Sequence, residues 1–425
     1  MHVVFVGLGG VASVMSRCIS ELAGRTNKAV SFTVFVRDEK QARAALPFLT
    51  DILTSARFIE ISDFKNILDE LDRFKDIVHG ATVVINTATP SLNTVLLEFA
   101  HRIDAHYADL ASDMYSETAL SKLEFEQDSY HEQFKTRGKF ALINIGISPG
   151  VTNFLIGAHL RDCDATCQFD KKAVRLYLLE EIRSREIAFS WSPQVAFDEL
   201  EQKPRFFEAG ALTTIEPFTS GTEYEFPHFK GVANLYPIYQ EEVLSLHHSF
   251  PHIQSVQVRS GGSEIELIKN LYQLNLLSKD KPVCIDSGVS IDKVVRSVIP
   301  GLKTQKELDS MVREGIIMSA QFAAVAEIEK EHVTEVVGLS YHSYTKLPKT
   351  PYRGATYVAY PTGIGAAVLL FHSLAAWEAG KEQMQGVIRA EELPRLFGSV
   401  KTEKVIDDLA RYDIDIISHT HGSRT

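Results

Sequence analysis

The chain has 425 residues, of which 45% are hydrophobic and 23% charged, an ordinary globular composition at a length that suits two domains. Its formal net charge of −11 argues against nucleic acid or an anionic membrane surface as a partner. The apolar stretches look too short for a transmembrane helix. The first predicted strand begins at residue 2, so no signal peptide is expected before it. We therefore expect a cytoplasmic protein.

The metal-binding residue types do not form a recognisable site. Four cysteines are present: Cys18, Cys163, Cys167 and Cys284. Their number and spacing predict neither a disulfide framework nor a zinc site, because no second ligand pair accompanies the one close pair. A histidine cluster, His247, His248 and His252, has the composition of a metal set but falls at a predicted helix end and a Phe-Pro turn. We predict no metal.

The opening stretch of the chain has the pattern of a dinucleotide-binding turn. A short apolar strand at His2–Val6 leads into Gly-Leu-Gly-Gly-Val-Ala, and apolar residues at helical spacing follow. Gly7 permits a tight turn, Gly9 lets the backbone approach a diphosphate, and Ala12 is small enough for the helix to lie close to the strand. The helix N-terminus would then direct N–H groups at the phosphates. The cofactor residues predicted here are Gly7, Gly9, Gly10, Val11 and Ala12.

The end of the second strand bears on which dinucleotide is bound. This strand is predicted at Ala29–Val36, and Val36 cannot hold a ribose hydroxyl as the carboxylate of NAD-binding proteins does. Arg37 follows, and a guanidinium can bind a 2′-phosphate through two hydrogen bonds. NADP is therefore favoured. The alternative is that Arg37 is solvated and Asp38 binds the ribose, which leaves NAD possible.

The remaining strands of the first half continue an alternating strand and helix pattern, which predicts a doubly wound parallel sheet. They are predicted at Phe58–Ile61, Thr82–Ala88, His106–Asp109 and Phe140–Ile145. Helices are expected at Phe64–Phe74, after a Ser91 cap, at Ser116–Thr136 and from Val151. Ligand-contacting groups lie where such strands end. The further cofactor residues predicted on this ground are Thr87, Ala88, Thr89, Pro90, Asp109, Gly146, Pro149 and Gly150.

The pattern changes near residue 173 to a mixed sheet with helices on one side, an α+β domain. The predicted strands are Val174–Glu180, Arg185–Trp191, His332–Lys346, Thr356–Tyr360 and short ones near Phe206, Thr214, Tyr224, Tyr236 and Val256. Helices are predicted at Gln194–Leu200, Gln240–Ser249, Glu264–Leu274 and, buried, at Gly363–Ala379. His419 and His421 are placed in a disordered tail. The domains are thus predicted at 1–150 and 151–360, with 361–425 as a C-terminal segment.

Several short motifs, in order along nearly the whole chain, resemble the saccharopine dehydrogenase-like family. The motifs are Gly7–Gly10, Val84–Pro90, Tyr107–Asp109, Gly146–Gly150, Phe189–Pro193, Glu264–Leu276, Tyr360–Gly363 and Gly386–Glu392. The resemblance implies that the final helices return to the nucleotide domain and that the second sheet forms a homodimer. It implies NAD(P)-linked oxidation or reduction at a carbon–nitrogen bond of an amino acid or polyamine.

One stretch departs from the family pattern. Family members often carry Arg-Tyr-x-Gly-His near the substrate, just before the helix at Glu264. Here the same positions read Val-Arg-Ser-Gly-Gly, so that Gly262 replaces the histidine and Arg259 the tyrosine. Either the substrate differs, or the acid/base group comes from elsewhere, or catalysis has been lost.

Five side chains are candidates for the chemistry of an amine or imine substrate. Asp109 could hold an ammonium or a water, unless it only caps the next helix. Trp191 and Ser192 could wall the pocket, although a core tryptophan is an equal alternative. Arg259 could pair a substrate carboxylate, with a surface arginine as the alternative. His342 could act as general acid, although such a strand position more often holds a structural histidine.

Two hypotheses follow from these residues. The first is an NADP-preferring oxidoreductase of the saccharopine dehydrogenase type that acts on a small amino acid, imine or amine. The second is a nucleotide-binding homologue that keeps the cofactor site and has lost dehydrogenase activity, which Gly262 motivates.

Overall fold

The computed structural model describes residues 1–49, 54–160, 172–279, 289–330, 333–380 and 383–422. The predictions for Cys163, Cys167 and Cys284 lie outside these ranges, whereas Cys18 is a buried free thiol.

The described residues form sixteen strands. In chain order they are β1 His2–Val6, β2 Ser31–Val36, β3 Arg57–Glu60, β4 Val83–Asn86, β5 His106–Asp109, β6 Phe140–Ile143, β7 Lys172–Ser184, β8 Arg205–Glu208, β9 Ala211–Thr214, β10 Thr222–Tyr224, β11 Ala233–Ile238, β12 Ile253–Gly261, β13 Ile317–Lys330, β14 Val333–Tyr341, β15 Gly386–Arg389 and β16 Asp415–Gly422.

Fourteen α-helices accompany these strands in the described ranges. They are α1 Gly10–Arg25, α2 Glu39–Ala45, α3 Leu71–Val78, α4 Asn93–Arg102, α5 His131–Thr136, α6 Val151–Leu160, α7 Pro193–Leu200, α8 Glu242–Ser249, α9 Ser263–Gln273, α10 Ile291–Val298, α11 Gln305–Arg313, α12 Ala359–Glu378, α13 Leu393–Phe397 and α14 Ser399–Ala410.

The first sheet has seven parallel strands in the order β3-β2-β1-β4-β5-β6-β15. Strands such as β4 are apolar and buried throughout, because helices cover both faces of a parallel sheet. The strand order reverses between β1 and β4, and a crevice opens at that point beyond the carboxyl ends of the strands. The doubly wound fold predicted for the first half is confirmed.

The C-terminal segment returns to this sheet, as the resemblance implied. β15 pairs with β6 as the seventh strand, which the sequence did not reveal because it is only four residues long. α12 packs against α1, and a Cβ at Gly363 would lie 2.6 Å from that of Val14, so the glycine permits this close approach. α12 is the one described helix long and apolar enough to cross a membrane, but 89% of its apolar window is buried in the fold, as expected of a core helix.

The second sheet is mixed, with the order β10-β11-β12-β7-β13-β14-β16 and the β8–β9 hairpin attached to β12. Among the strand pairs of this sheet that the structure describes, only β12 and β7 run parallel. The prediction of a disordered tail is wrong. β16 pairs with β14 from Asp415 to Gly422, so that His419 lies opposite Val336 and the edge of β14 is covered by main-chain hydrogen bonds.

Four predicted features, three in the first domain and one early in the second, differ from the structure. Residues 64–74 form a short 3-10 turn before α3, and Ser91 lies within the turn Pro90–Leu92 instead of capping α4. Residues 116–136 form a π turn, a 3-10 turn and α5, because Leu123 adopts a left-handed φ of 58° that ends the first turn. Residues 185–191 form no strand, since β7 already ends at Ser184.

Two predictions near the end of the second domain also need correction. β14 ends at Tyr341, so the strand predicted to reach Lys346 is shorter, and a 3-10 turn follows it. The strand predicted at Thr356–Tyr360 is instead the start of α12, where the Thr356 hydroxyl accepts a hydrogen bond from the Ala359 N–H at 2.9 Å. This side-chain hydrogen bond stabilises the turn that leads into α12, and the apolar neighbours of Thr356 conceal that turn in the sequence.

Candidate active site

The β1–α1 turn presents main-chain N–H groups to the crevice. Gly7 has φ +91°, and a Cβ there would lie 3.1 Å from that of Ala88, so both conformation and space require glycine. Gly9 precedes α1 without a side-chain cap, and no acidic residue occupies the first turn of the helix. Nothing lies within 4 Å of a Cβ built on Gly9. These features fit the diphosphate of a dinucleotide.

Two adjoining cavities, of about 510 and 550 Å³, lie on either side of this turn. Because they share lining residues, they form one groove across the carboxyl ends of the strands. The shared residues are Leu8, Gly9, Ala45, Thr87, Ala88 and Thr89. The 510 Å³ cavity, called the cleft below, faces the second domain, and the 550 Å³ cavity extends along β2.

The Thr87–Pro90 loop is held in place by Asn86 at the end of β4. The Asn86 side-chain amide donates to the Thr89 carbonyl at 2.9 Å and to the Asn93 side chain at 2.7 Å, and its oxygen accepts from the Ala88 N–H at 3.0 Å. Pro90 lines the cleft, and Thr89 lines both cavities. The loop is therefore a rigid wall where the middle of a dinucleotide would lie.

The end of the groove along β2 is lined by two exposed cationic side chains, Arg37 and Lys65. Asp38 also lines this cavity, but its carboxylate caps α2 by accepting from the Gln41 N–H at 2.7 Å. A carboxylate engaged as a cap is less free to hold a ribose hydroxyl. The sequence did not indicate that Lys65 lies near Arg37, because Lys65 follows β3, nearly 30 residues further along the chain. The pair suits a phosphate on the adenosine ribose.

Asp109 lies at the carboxyl end of β5, is 1% exposed and lines the cleft. Its two oxygens accept from the Asn144 N–H at 2.8 Å and from the Gln127 amide at 3.0 Å. Burial raises the pKa of this carboxyl to about 7, against the opposing effect of those hydrogen bonds. Because its hydrogen bonds come from Asn144 and Gln127, the Asp109 carboxyl does not cap the next helix. Its raised pKa means that it titrates near neutral pH.

The second domain supplies the opposite wall of the cleft. Trp191 and Ser192 both line it, and substrate contact by either stays a prediction. Ser190, beside them, donates its N–H to Glu264 at 2.7 Å, and the same Glu264 oxygen accepts from the Tyr357 hydroxyl at 3.0 Å. The second Glu264 oxygen has no hydrogen-bond partner in the described part of the chain. Burial raises the pKa of this carboxyl to about 6.

A third segment, missed by the sequence analysis, closes the cleft from the start of α11. Lys303 is the only cationic side chain among the described lining residues of the cleft. Thr304 and Glu307 cap α11 reciprocally. The Gln305 side chain then joins the two domains, since its oxygen accepts from the Phe48 N–H at 3.3 Å. A capping box was legible in the sequence, but its position across the cleft was not.

Six predicted site residues line neither cavity. They are Ala12, Gly146, Pro149, Gly150, Arg259 and His342. Ala12 is fully buried beneath the turn, as its predicted packing role requires. The turn at residues 146–150 packs against α12, where a Cβ on Gly365 would lie 3.1 Å from the Gly146 carbonyl oxygen. A Cβ on Gly150, whose φ is +131°, would lie 2.2 Å from the Gly146 carbonyl oxygen, so the fold of the turn itself requires glycine there. Cofactor contact by this turn stays a prediction.

Arg259 and His342 have partners away from the cleft. The Arg259 guanidinium donates to the Ser220 carbonyl and lies 5.8 Å from the centre of the Phe206 ring. The His342 ring stacks on His228 with centroids 4.0 Å apart, and its Nδ1 lies 3.3 Å from the Asp415 carboxylate. Neither residue lines the cleft, and a role for either in the chemistry stays a prediction.

Gly262, which replaces the family histidine, has a backbone reason to be glycine. Its φ is +123°, and a Cβ there would lie 2.0 Å from the Glu180 carbonyl oxygen. Any side chain at this position would require the backbone to move. A histidine therefore cannot replace Gly262 on this backbone path at the end of β12.

A doubly wound sheet, an uncapped glycine turn at its switch point and a second domain facing the groove define a dinucleotide-binding protein of the oxidoreductase class. Residues 3–142 match the saccharopine dehydrogenase NADP binding domain, and residues 146–412 match the saccharopine dehydrogenase C-terminal domain. The chain belongs to the saccharopine dehydrogenase family, and it carries that family's NADP-binding domain. The resemblance seen in the sequence is confirmed, as is the expectation of NADP.

Two individual proteins illustrate the similarity. Carboxyaminopropylagmatine dehydrogenase from Synechocystis sp. is 27% identical over 260 residues, which are 59% of this chain and 60% of that enzyme's length. Saccharopine dehydrogenase (L-Glu forming) from Saccharomyces cerevisiae superposes with a TM-score of 0.64 at 15% identity and covers 99% of both chains, which supports the fold. The expected homodimer and cytoplasmic location stay predictions.

Proposed function

We propose that this protein is an NADP-dependent oxidoreductase that forms or oxidises a carbon–nitrogen bond of a small amine or amino acid substrate. One observation carries the proposal: the cofactor groove opens directly onto a cleft that contains the buried carboxyl of Asp109 and the second-domain residues Trp191 and Lys303. The similarity to carboxyaminopropylagmatine dehydrogenase supports a polyamine-related substrate.

The cofactor would be held by the turn at Gly7–Gly10, by the loop from Thr87 to Pro90, and by Arg37 with Lys65. A bound nicotinamide supplies or accepts the hydride, and the protein contributes orientation and charge. The pKa of about 7 lets Asp109 exchange a proton with the substrate nitrogen at neutral pH. Lys303 is placed to pair with a substrate carboxylate.

Absorbance of NADPH at neutral pH, followed with a panel of amines paired with aldehydes or keto acids, tests this function. We expect oxidation of NADPH with at least one pair and the reverse reaction with its product. Asp109→Asn should lower kcat by about 100-fold while NADPH still binds. Lys303→Ala should raise KM most for substrates that carry a carboxylate, and substrates without one serve as its control.

The second candidate function is a non-catalytic homologue, since Gly262 stands where the family often carries a histidine. Two observations favour the first candidate instead. Gly262 lies against the backbone of Glu180, where the fold requires glycine, and Asp109 lines the cleft as another group that could exchange a proton. Tight NADPH binding with no turnover across the panel would favour this second candidate.

A further inference from the structure

A third cavity, of about 30 Å³, lies beside the cleft in the second domain. Trp191 is the one described residue that lines both, so its indole forms the wall between them. The volume is enough for one small head group and too small for a ring.

The lining of this cavity combines carboxylates with aromatic rings. The side chains that matter are Glu180, Glu199, Trp191, Tyr115, Tyr239 and Phe218. The rings of Tyr115 and Tyr239 meet edge to face, with centroids 5.7 Å apart. Carboxylates and aromatic faces together attract ammonium and guanidinium groups, through charge and through the ring quadrupole.

Glu180 is one of the two acids of this set. Burial raises the pKa of its carboxyl to about 8, and the nearby charge of Glu264 adds to the shift, whereas hydrogen bonds from Ser190 and Trp191 oppose it. The Ser190 hydroxyl lies 3.4 Å from one Glu180 oxygen. None of the described groups that shift this pKa is a cation. A cation in the cavity would therefore stabilise the ionised form of Glu180.

Tyr239 provides an independent indication of a ligand. The residue is 6% exposed, yet its hydroxyl has no hydrogen-bond partner within the described chain. Gln240 also lines the cavity, and its side-chain oxygen is likewise unpartnered there. Both atoms can accept a hydrogen bond from an N–H donor. The Arg205 guanidinium lies 5.9 Å from the Tyr239 ring centre, but Arg205 does not line the cavity.

We propose that this cavity, the cation subsite, binds the distal ammonium or guanidinium group of the substrate, whose carbon–nitrogen bond reacts on the other side of Trp191. The inference rests on the proposed function for the reacting end and adds the charge of the far end. An apolar or anionic group would leave Glu180 and the Tyr239 hydroxyl without compensation.

Calorimetric binding to the NADP-loaded protein tests the subsite without requiring turnover. The probes are 1,4-diaminobutane and 4-guanidinobutylamine, with 1,4-butanediol as the uncharged control. Saturable binding of a cation and none of the diol is expected, and the tighter of the two cations identifies the head group. Failure of both cations to bind would overturn the proposal.

Glu180→Gln keeps the shape of the side chain and cannot ionise beside a bound cation, so it should weaken cation binding about 10- to 100-fold. Tyr239→Phe, which removes only the hydroxyl, should weaken it about 3- to 10-fold. Glu181→Gln is the matched control, since Glu181 is the next residue of β7 and lines none of the three cavities. Equal affinity of the wild type and both variants, with unchanged melting temperatures, would refute the subsite.

The subsite and the proposed function fail in different ways. Cation binding that depends on Glu180, with no redox turnover of any pair, would retain the subsite and overturn the oxidoreductase. Turnover of a substrate whose far end is uncharged, with an unchanged KM in Glu180→Gln, would retain the oxidoreductase and overturn the subsite. If both hold, Glu180→Gln raises the substrate KM and leaves the KM for NADPH unchanged.

Discussion

At the glycine turn the groups available to a ligand are main-chain N–H groups within one short stretch, whereas the facing wall of the cleft is assembled from segments near residues 109, 190, 303 and 356. The first region works through backbone geometry, so only glycine is tolerated at Gly7. The second works through side chains whose charge depends on burial, as at Asp109 and Glu264. A change in the first region should therefore act on cofactor binding, and a change in the second on protonation and substrate choice.

The largest effect is expected from Gly9→Asp. The position has extended backbone and open space around it, so the fold should be kept, and an aspartate there can cap α1. Its carboxylate would repel the diphosphate, and NADPH affinity should fall at least about 100-fold with an unchanged or higher melting temperature. Fluorescence titration with NADPH measures this. Gly24→Asp, at the far end of the same helix, is the control, and comparable losses in both would contradict the placement of the diphosphate.

Arg37→Ala separates the two dinucleotides. Loss of a guanidinium at the adenosine end should weaken NADPH by about 10- to 100-fold and NADH by less than about threefold. Lys65→Ala should act in the same direction and more weakly, because an ammonium pairs less specifically with a phosphate. Binding titrations of both dinucleotides provide the measurement, with Lys40→Ala, which lies outside the cavity lining, as the control. Equal weakening of NADH and NADPH would contradict a 2′-phosphate contact.

Asp109→Asn should change how stability depends on pH. The carboxyl pKa is about 7 in the fold and near its ordinary 3.8 when unfolded, so its stabilising contribution is complete below about pH 4 and is lost as the pH rises through 7. The wild type should therefore lose a few degrees of melting temperature relative to Asp109→Asn between pH 5.5 and 8.5, roughly 2–4 °C. Thermal melts across this range check the sign. The melting temperature of Asp69→Asn, a surface control, should follow that of the wild type across this range. A melting-temperature difference between Asp109→Asn and the wild type that does not change with pH would mean that Asp109 is not buried as a neutral acid.

The smallest effect is expected from His342→Ala. Its ring stacks on His228 beside Asp415, outside the lining of the cleft. Both kcat/KM and its pH profile should stay within about twofold of the wild type, because the imidazole does not reach the reacting groups. Loss of one limb of the pH profile would instead restore His342 as the general acid proposed from the sequence.

Much of the nucleotide half was predictable from local patterns. The glycine spacing after β1, the position of Arg37 after β2 and Asp109 at the end of β5 were all legible, because each requirement acts within a few residues of the chain. Element boundaries failed where a local signal was hidden, as at Leu123, whose left-handed backbone interrupts an otherwise helical pattern.

The sequence by itself indicated a ligand groove at one edge of the first sheet, since parallel strands bring their carboxyl ends together and glycines mark the turn. Only the tertiary structure decided which distant side chains meet. In the structure Arg259 and His342 lie outside the cleft lining, whereas Lys303 and Lys65 line the groove. Glu180 lines the third cavity together with Trp191. The physical reason is range: backbone conformation is a local property, whereas burial and charge pairing depend on residues that only folding brings into contact.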